Sequence, residues 1–266
     1  MVSDGYGQGG PEIPANAKFK IITYTEDGYP LEVGVGAEGD TVTPVDAFAT
    51  SSGGCPAVVS KITKVHLPST ATTIGQNGFY YLTKLKEIVN WDNITSISYK
   101  GLANCSSLEH THLPPNLTFI GGEGFATSRV PITELPSALI TIGISAFYRV
   151  SGMNIKKLNE GLETISNGAF YTLSNVGVSF SEVPASVKTI GTQAFYGACQ
   201  GIVGSLKFRG TPTTIAANAF EKGTNVTDVY VPWAEGELDG APWGMTNATI
   251  HYNTVYDENG EPIVEE

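Results

Sequence analysis

Two stretches have the spacing of a glycine loop that cradles phosphates, Gly34-Val35-Gly36-Ala37-Glu38-Gly39 and Gly5-Tyr6-Gly7-Gln8-Gly9-Gly10. Such a loop holds a pyrophosphate only where it leads from a strand into a helix, whose free amides and dipole face the anion. The first runs instead into Asp40-Thr41-Val42-Thr43-Pro44, and the second lies in a Gly/Pro-rich end. No dinucleotide cofactor is expected. Gly197-Ala198-Cys199-Gln200-Gly201 has the form of a nucleophile elbow with Cys in place of Ser. That elbow needs a strand, a sharp turn and a helix. Cys199 instead follows a recurring Phe, and Cys105 holds nearly the same place after Leu102, so both read as buried, inert thiols.

His110 and His112 are two apart and would share one face of a strand. His66 holds the repeat position of His112 two units earlier, ~10 Å away at two strand spacings. Bonds of ~2.1 Å to one zinc cannot span that gap. His251 has no local partner. Glu235 and Glu237 are paired acids of the kind that hydrolyse glycosides, but they sit in a Gly-rich stretch that reads as a solvated turn. The Asn-x-Ser/Thr strings at Asn93, Asn104, Asn116, Asn225 and Asn247 read as turn residues. No catalytic residue, cofactor site or metal site is expected, and the chain is read as not an enzyme.

The 266 residues are 41% hydrophobic and 15% charged, too apolar for a disordered chain. A net charge of −11 disfavours nucleic acid and anionic membrane as partners. No apolar run reaches the ~18 residues of a membrane span, so membrane insertion is not expected. Three Cys is an odd number for a disulfide scaffold. The first residues show neither a basic region nor an apolar one, so no signal peptide is visible.

What would position these residues is an internal repeat. Ile74-Gly75-Gln76-Asn77-Gly78-Phe79 recurs as Ile120 to Phe125, Ile142 to Phe147 and Ile190 to Phe195. Weaker copies run Ile97 to Leu102, Ile165 to Phe170 and Ile215 to Phe220. The steps between copies are 23, 23, 22, 23, 25 and 25 residues. Seven residues before each Ile stand Leu67, Asn90, Leu113, Leu135, Leu158, Val183 and Phe208, with Pro68, Pro114, Pro136 and Pro184 following. One such unit cannot bury its own apolar face, so units must stack as a solenoid. The spacing predicts parallel strands at the Leu position, ended by the donor-less Pro, and an interior Phe ladder. Gly after Ile, at 75, 121, 143 and 191, is expected to supply a backbone conformation hindered to other residues.

The strand-Pro and Ile-Gly-x-x-Ala-Phe pattern, clearest at Ala146-Phe147, Ala169-Phe170, Ala194-Phe195 and Ala219-Phe220, resembles the BspA-type leucine-rich repeat over about residues 60–232. Asn90, Trp91 and Asn159 depart from it and predict irregular turns. The resemblance implies an α/β leucine-rich-repeat solenoid, β-dominated, with a short helical or irregular convex side and small terminal caps. Residues 1–17 read as a flexible segment, and 18–60 as a β-rich cap or attachment module with strands at Phe19–Thr25 and Leu31–Val35. The solenoid of seven to eight repeats follows over 61–232, with Asp46-Ala47-Phe48 as a worn repeat end before it. A cap with two Trp at 233–253 and an acidic, solvated tail at 254–266 complete the chain.

Just before the Leu position stand His66, Val89, His112, Glu134, Lys157, Glu182, Lys207 and Tyr230. On a leucine-rich-repeat ladder this row points outward and offers a broad surface for a partner. Ile132, Ile155 and Phe180 fall one residue early, and a local bulge there would alter which residues are exposed. The resemblance implies a bacterial surface protein that binds a protein or glycan on a cell, without enzymatic activity. The ending from Val231 to Tyr252 resembles endings of repeat proteins of gut Firmicutes and their phages, which implies a phage or prophage tail-associated protein, oligomeric as a virion component, as the alternative. The expected location is extracellular, on a cell surface or on a virion.

Overall fold

Each turn of the chain brings the same side chains to the same place, and identical shapes stack best on themselves. The computed structural model describes residues 19–25, 30–35, 62–67, 71–172 and 177–263. The features read at Gly5–Gly10, Gly36–Gly39, Asp46–Phe48 and Cys55 lie outside them. In chain order the strands are β1 (Phe19–Thr25), β2 (Pro30–Val35), β3 (Ile62–His66), β4 (Thr73–Ile74), β5 (Glu87–Val89), β6 (Ser96–Ile97), β7 (Phe119–Ile120), β8 (Thr141–Ile142), β9 (Thr164–Ile165) and β10 (Glu182–Val183). They continue as β11 (Thr189–Ile190), β12 (Gly204–Phe208), β13 (Thr214–Ile215), β14 (Val226–Tyr230), β15 (Thr249–His251), β16 (Val255–Tyr256) and β17 (Pro262–Ile263). Helix among the described residues is confined to two 3-10 turns, Trp91–Asn93 and Ala198–Gly201. The fold is thus the β-dominated solenoid expected.

The most continuous ladder is not the one at the Leu position. It runs through the Thr-Ile dipeptides in the seven-stranded order β13-β11-β9-β8-β7-β6-β4, every pair parallel and in register, as Ile142 opposite Ile165. The ladder at the Leu position is interrupted. It forms at β3-β5 and at β10-β12-β14-β15, while between them only isolated bridges remain, such as Glu134 to Lys157 and Ile155 to Val178. After Val178 the ladder breaks: Ser179, Phe180 and Ser181 lie between the Ile155–Val178 bridge and the Glu182–Lys207 pair. At the N-terminal end β1 pairs antiparallel with β2 and with β3, Ile22 opposite His66.

The interior Phe ladder forms as the repeat predicts. Phe125, Phe147, Phe170, Phe195 and Phe220 stack at 5.5, 5.3, 5.2 and 4.9 Å between ring centres, within 14° of parallel. All are buried, and burying each contributes about 1.5–3 kcal/mol. Their amides form a further ladder, Phe147 to Ala169 O at 2.8 Å and Phe170 to Ala194 O at 2.7 Å. Its last rung ends on Trp243 O, also at 2.8 Å. Trp233 and Trp243 are buried and pack against Phe208, so the segment after Pro232 closes this end of the core. Trp91 and Asn159 keep the turn that Pro makes elsewhere, where irregular turns were expected: Ile94 N donates to Trp91 O and Leu162 N to Asn159 O, both at 3.1 Å, as Leu139 N does to Pro136 O at 3.0 Å.

The glycine after Ile has a different reason from the one expected. Gly121 and Gly143 are not among the residues with positive φ. A Cβ on Gly143 would lie 2.7 Å from the carbonyl carbon of Gly121, so crowding by the preceding turn selects the residue. The left-handed conformation falls two residues before the Phe position instead, on Asn77, Lys100, Glu123, Ser145, Gly168 and Gln193, with φ between 52° and 60°. In that conformation several of these amides point at the next turn, as Glu123 N to Ile144 O at 2.8 Å.

Candidate recognition surface

The rungs of the interrupted ladder carry the row of outward residues. Register places His66 opposite Val89, Glu134 opposite Lys157, and Glu182, Lys207, Tyr230 and His251 in one line. The line therefore gains His251 as a rung. His66, Val89, Glu182 and Tyr230 are half-buried, and His112, Glu134 and Lys157 are exposed. Lys207 departs from the expectation: only 8% of it is exposed.

The cause is residues 254–263, which do not form the solvated tail expected. β16 and β17 pair antiparallel as a hairpin, Val255 opposite Ile263. Asp257 Oδ1 holds its turn by accepting from the amides of Asn259 at 2.9 Å and Glu261 at 2.8 Å. These backbone bonds, that of Glu261 first, hold the Asp257 carboxyl below the usual range. Tyr256 Oη donates to the carbonyls of Phe208 at 2.8 Å and Tyr230 at 3.0 Å. Burial pushes its phenol up to about 12. Glu261 pairs with Lys207, and Arg209 lies over the Tyr256 ring at 4.5 Å while binding both carboxylate oxygens of Glu182. The Arg209 bond holds the Glu182 carboxyl below its usual value.

The other end of the row is built differently. His110 and His112 do not share a strand face, because residues 109–112 form no strand. His110 turns inward, stacks on Trp91 at 4.8 Å, and accepts the Ile88 amide on Nε2 at 2.9 Å. A side chain thus replaces the missing rung. Burial, then the neighbouring His112, holds the His110 imidazole below its usual value, with Glu87 and Asp92 acting the other way. His112 Nε2 lies 2.8 Å from Asp92 Oδ1. His251, which lacks a partner nearby in sequence, has one a single turn back: its Nε2 lies 2.8 Å from Asp228 Oδ1. That bond, first among several, holds the Asp228 carboxyl below its usual value.

Cys105 and Cys199 are buried, free thiols held to the backbone carbonyls of Phe79 at 3.1 Å and Phe220 at 3.3 Å. Burial pushes both thiols up, Cys199 to about 12, so thiolate chemistry is not available there. Glu235 and Glu237 are in the cap segment and Glu237 is exposed. Among the described residues no three His, Cys, Asp or Glu side chains converge as a metal set, and no helix is long and apolar enough to cross a membrane.

Two features escape a reading by row. A hollow of about 300 Å³ opens at the break in the ladder after Val178, lined by Lys156, Lys157, Phe180, Ser181 and Glu182. On another side of the coil Tyr148, Tyr171 and Tyr196 stack outside the Phe ladder. Their signal is in the sequence as Ala-Phe-Tyr, three turns running.

Parallel coils, an interior Phe ladder and a rigid outer row define a leucine-rich-repeat solenoid that displays side chains at fixed intervals. The chain belongs to the family described as the BspA type leucine rich repeat region, whose model matches in six copies over residues 57–177 and 121–237. Among solved structures it is similar to a leucine-rich repeat protein from Bacteroides ovatus, with 18% identity and a TM-score of 0.41 over 72% of this chain and 61% of that one. It is also similar to the pneumococcal vaccine antigen PcpA, with 16% identity and a TM-score of 0.34 over 71% and 68% of the two chains. The chain thus spans about three fifths of the length of the first of these. No curated protein matches it.

Proposed function

We propose that this protein is a non-enzymatic recognition protein that binds a protein or glycan on a cell surface through the outward row of the interrupted ladder. The observation that supports it is the register: unlike charges, His and Tyr are held at rung spacing on one face of a rigid coil. Fixed side chains lose little entropy on binding, which favours recognition over a large area. BspA-type repeats belong to a family whose members are often surface proteins engaged in protein binding or adhesion, and such solenoids are generally scaffolds without catalytic groups. Glu134 and Lys157 are the central contacts, with His66, Val89, His112, Glu182 and Tyr230 along the row; Lys207 contributes through its pair with Glu261.

The test is binding to arrays of cell-surface proteins and glycans by the protein and by a His112→Ala, Glu134→Ala, Lys157→Ala variant. Selective binding that the variant loses is expected. Equal binding by both sinks the row. Peptide mass spectrometry on phage-particle, envelope and cytosolic fractions places the protein: envelope enrichment supports a surface adhesin, and particle enrichment supports the tail-associated alternative.

A further inference from the structure

The C-terminal hairpin is set on the solenoid differently from the Trp cap before it. The cap buries Trp233, Trp243 and Met245 in the core. The hairpin adds nothing to that core, and its Val255 and Ile263 are exposed. Two paired strands of two residues each are marginal by themselves. Their hold on the coils is polar and local. The Arg209 guanidinium lies between the Tyr256 ring, at 4.5 Å, and the Gly260 turn, where a Cβ would come within 2.7 Å of Arg209 Nη2. The Tyr256 hydroxyl donates to the carbonyls of Phe208 and Tyr230, and Glu261 pairs with Lys207. The fit is incomplete. A hollow of about 400 Å³ remains between Tyr230 and His251 at the end of the row and Thr254, Val255 and Ile263 of the hairpin.

An element held this way opens locally more readily than the packed coils beneath it. When it opens, the acids Asp257, Glu258 and Glu261 leave with it, and the cations Lys207 and Arg209 remain. What fits the opened site is what fills it in the structure: an aromatic ring for the guanidinium, a donor for two carbonyls and a carboxylate for Lys207. We infer that residues 254–263 are an autoinhibitory cover on the C-terminal half of the row, standing in for an acidic, aromatic-bearing segment of a protein partner that displaces it. This rests on the reading of the row as a recognition surface and names the chemistry of its partner. Covered, Lys207 reaches that surface only through Glu261; uncovered, it presents its own charge. The cover begins three residues after the last residue of β15, and so short a tether makes it compete as though present at about millimolar concentration. The partner's apparent affinity is then reduced by the fraction of chains that are open.

The probe is a labelled, end-capped peptide of residues 254–263, Thr-Val-Tyr-Asp-Glu-Asn-Gly-Glu-Pro-Ile, followed by fluorescence anisotropy. It is titrated into the full chain, a chain truncated after Asn253, and the full chain carrying Tyr256→Ala and Glu261→Gln. Both opened chains should bind it at least about tenfold more tightly than the full chain does, because their site is free. Lys207→Gln with Arg209→Gln in the truncated chain should weaken binding about tenfold, since bonds between charged groups are lost. Four results overturn the inference: no binding to either opened chain, equal binding to the unaltered chain, indifference to the Lys207 and Arg209 substitutions, or loss of the solenoid's melting transition in both opened chains, which would make the hairpin part of the fold. Tighter binding of hexagalacturonate than of the peptide would assign an acidic glycan and overturn the protein partner. Peptide binding by the opened chains, with array binding unmoved by the His112, Glu134, Lys157 variant, would keep the cover and remove the central contacts of the row. The reverse pattern would keep the row and remove the cover.

Discussion

The two ends of the outward row occupy one repeat position and are finished in opposite ways. Toward the N-terminus, His66 and Val89 lie in register, and the next rung is missing; the His110 ring fills the gap from within the coil. Toward the C-terminus the rungs are complete through His251, and a hairpin lies over them, tying Lys207, Arg209 and two carbonyls to residues 256–261. A repeat fixes what faces the core, because each turn must match the last. What covers the outside is set by residues beyond the repeat, so equivalent positions present unlike surfaces.

The largest effect should come from the middle, which both ends share. Phe147→Ala removes a ring stacked on two others and should cost about 3–5 kcal/mol. If the ends form one cooperative unit, denaturant melts followed at both ends by hydrogen exchange will shift together. A shift confined to one end would show that the ends fold separately, as nearest-neighbour coupling in solenoids permits.

Next is the hairpin. Tyr256→Ala removes a ring stacked by Arg209 and the donor to Phe208 O and Tyr230 O. A loss of about 1–3 kcal/mol is expected, with faster amide exchange over 204–209 and none over 62–67. Slow exchange that persists at 204–209 would mean that the rungs hold without their cover.

The ends should also part company in acid. The folded His110 pKa lies below its unfolded value of about 6.5, so the unfolded chain takes up the proton first. Its contribution is complete above pH ~6.5 and is lost as pH falls from there through the folded pKa, when the acceptor of the Ile88 amide disappears. Asp228, also lowered, keeps its contribution down to its unfolded value of about 3.9 and loses it only below that. Exchange at Ile88 should therefore quicken first on acidification and that at Val229 later. In His110→Gln the first step should vanish; its survival would assign the step to another group.

The interior was legible because burial demands the same residue every turn, so Ile and Phe could be counted. The hairpin is masked in the sequence, because Asp257, Glu258 and Glu261 give it the composition of a solvated tail. Yet Asn259-Gly260 is a turn signal between Tyr256 and Ile263. Period-two spacing puts His110 on a strand face only if a strand forms, and here its side chain stands in for one. The partner of His251 was hidden only by distance: Asp228 is 23 residues away, one repeat step. Lys207 could not have been read as covered from its own turn, since its partner is 54 residues on.

The smallest expected difference lies in the ion pairs of the two ends. Lys64 and Glu87 sit directly opposite on β3 and β5 with Nζ to Oε2 at 2.8 Å, Lys64 half-buried and Glu87 exposed. Water screens such a pair, and its coupling energy should be about 0.2–0.5 kcal/mol. Arg209 grips Glu182 through two nitrogens, and the Tyr256 ring covers the guanidinium. Bidentate geometry and partial exclusion of water should bring that coupling to about 1 kcal/mol. Double-mutant cycles on both pairs, repeated in Tyr256→Ala, test whether the cover is the cause. If it is, coupling at Arg209–Glu182 falls toward that of Lys64–Glu87 once the ring is gone, while the N-terminal pair is unmoved. If coupling stays at its first value, bidentate contact alone accounts for it, and the hairpin covers the row without strengthening it.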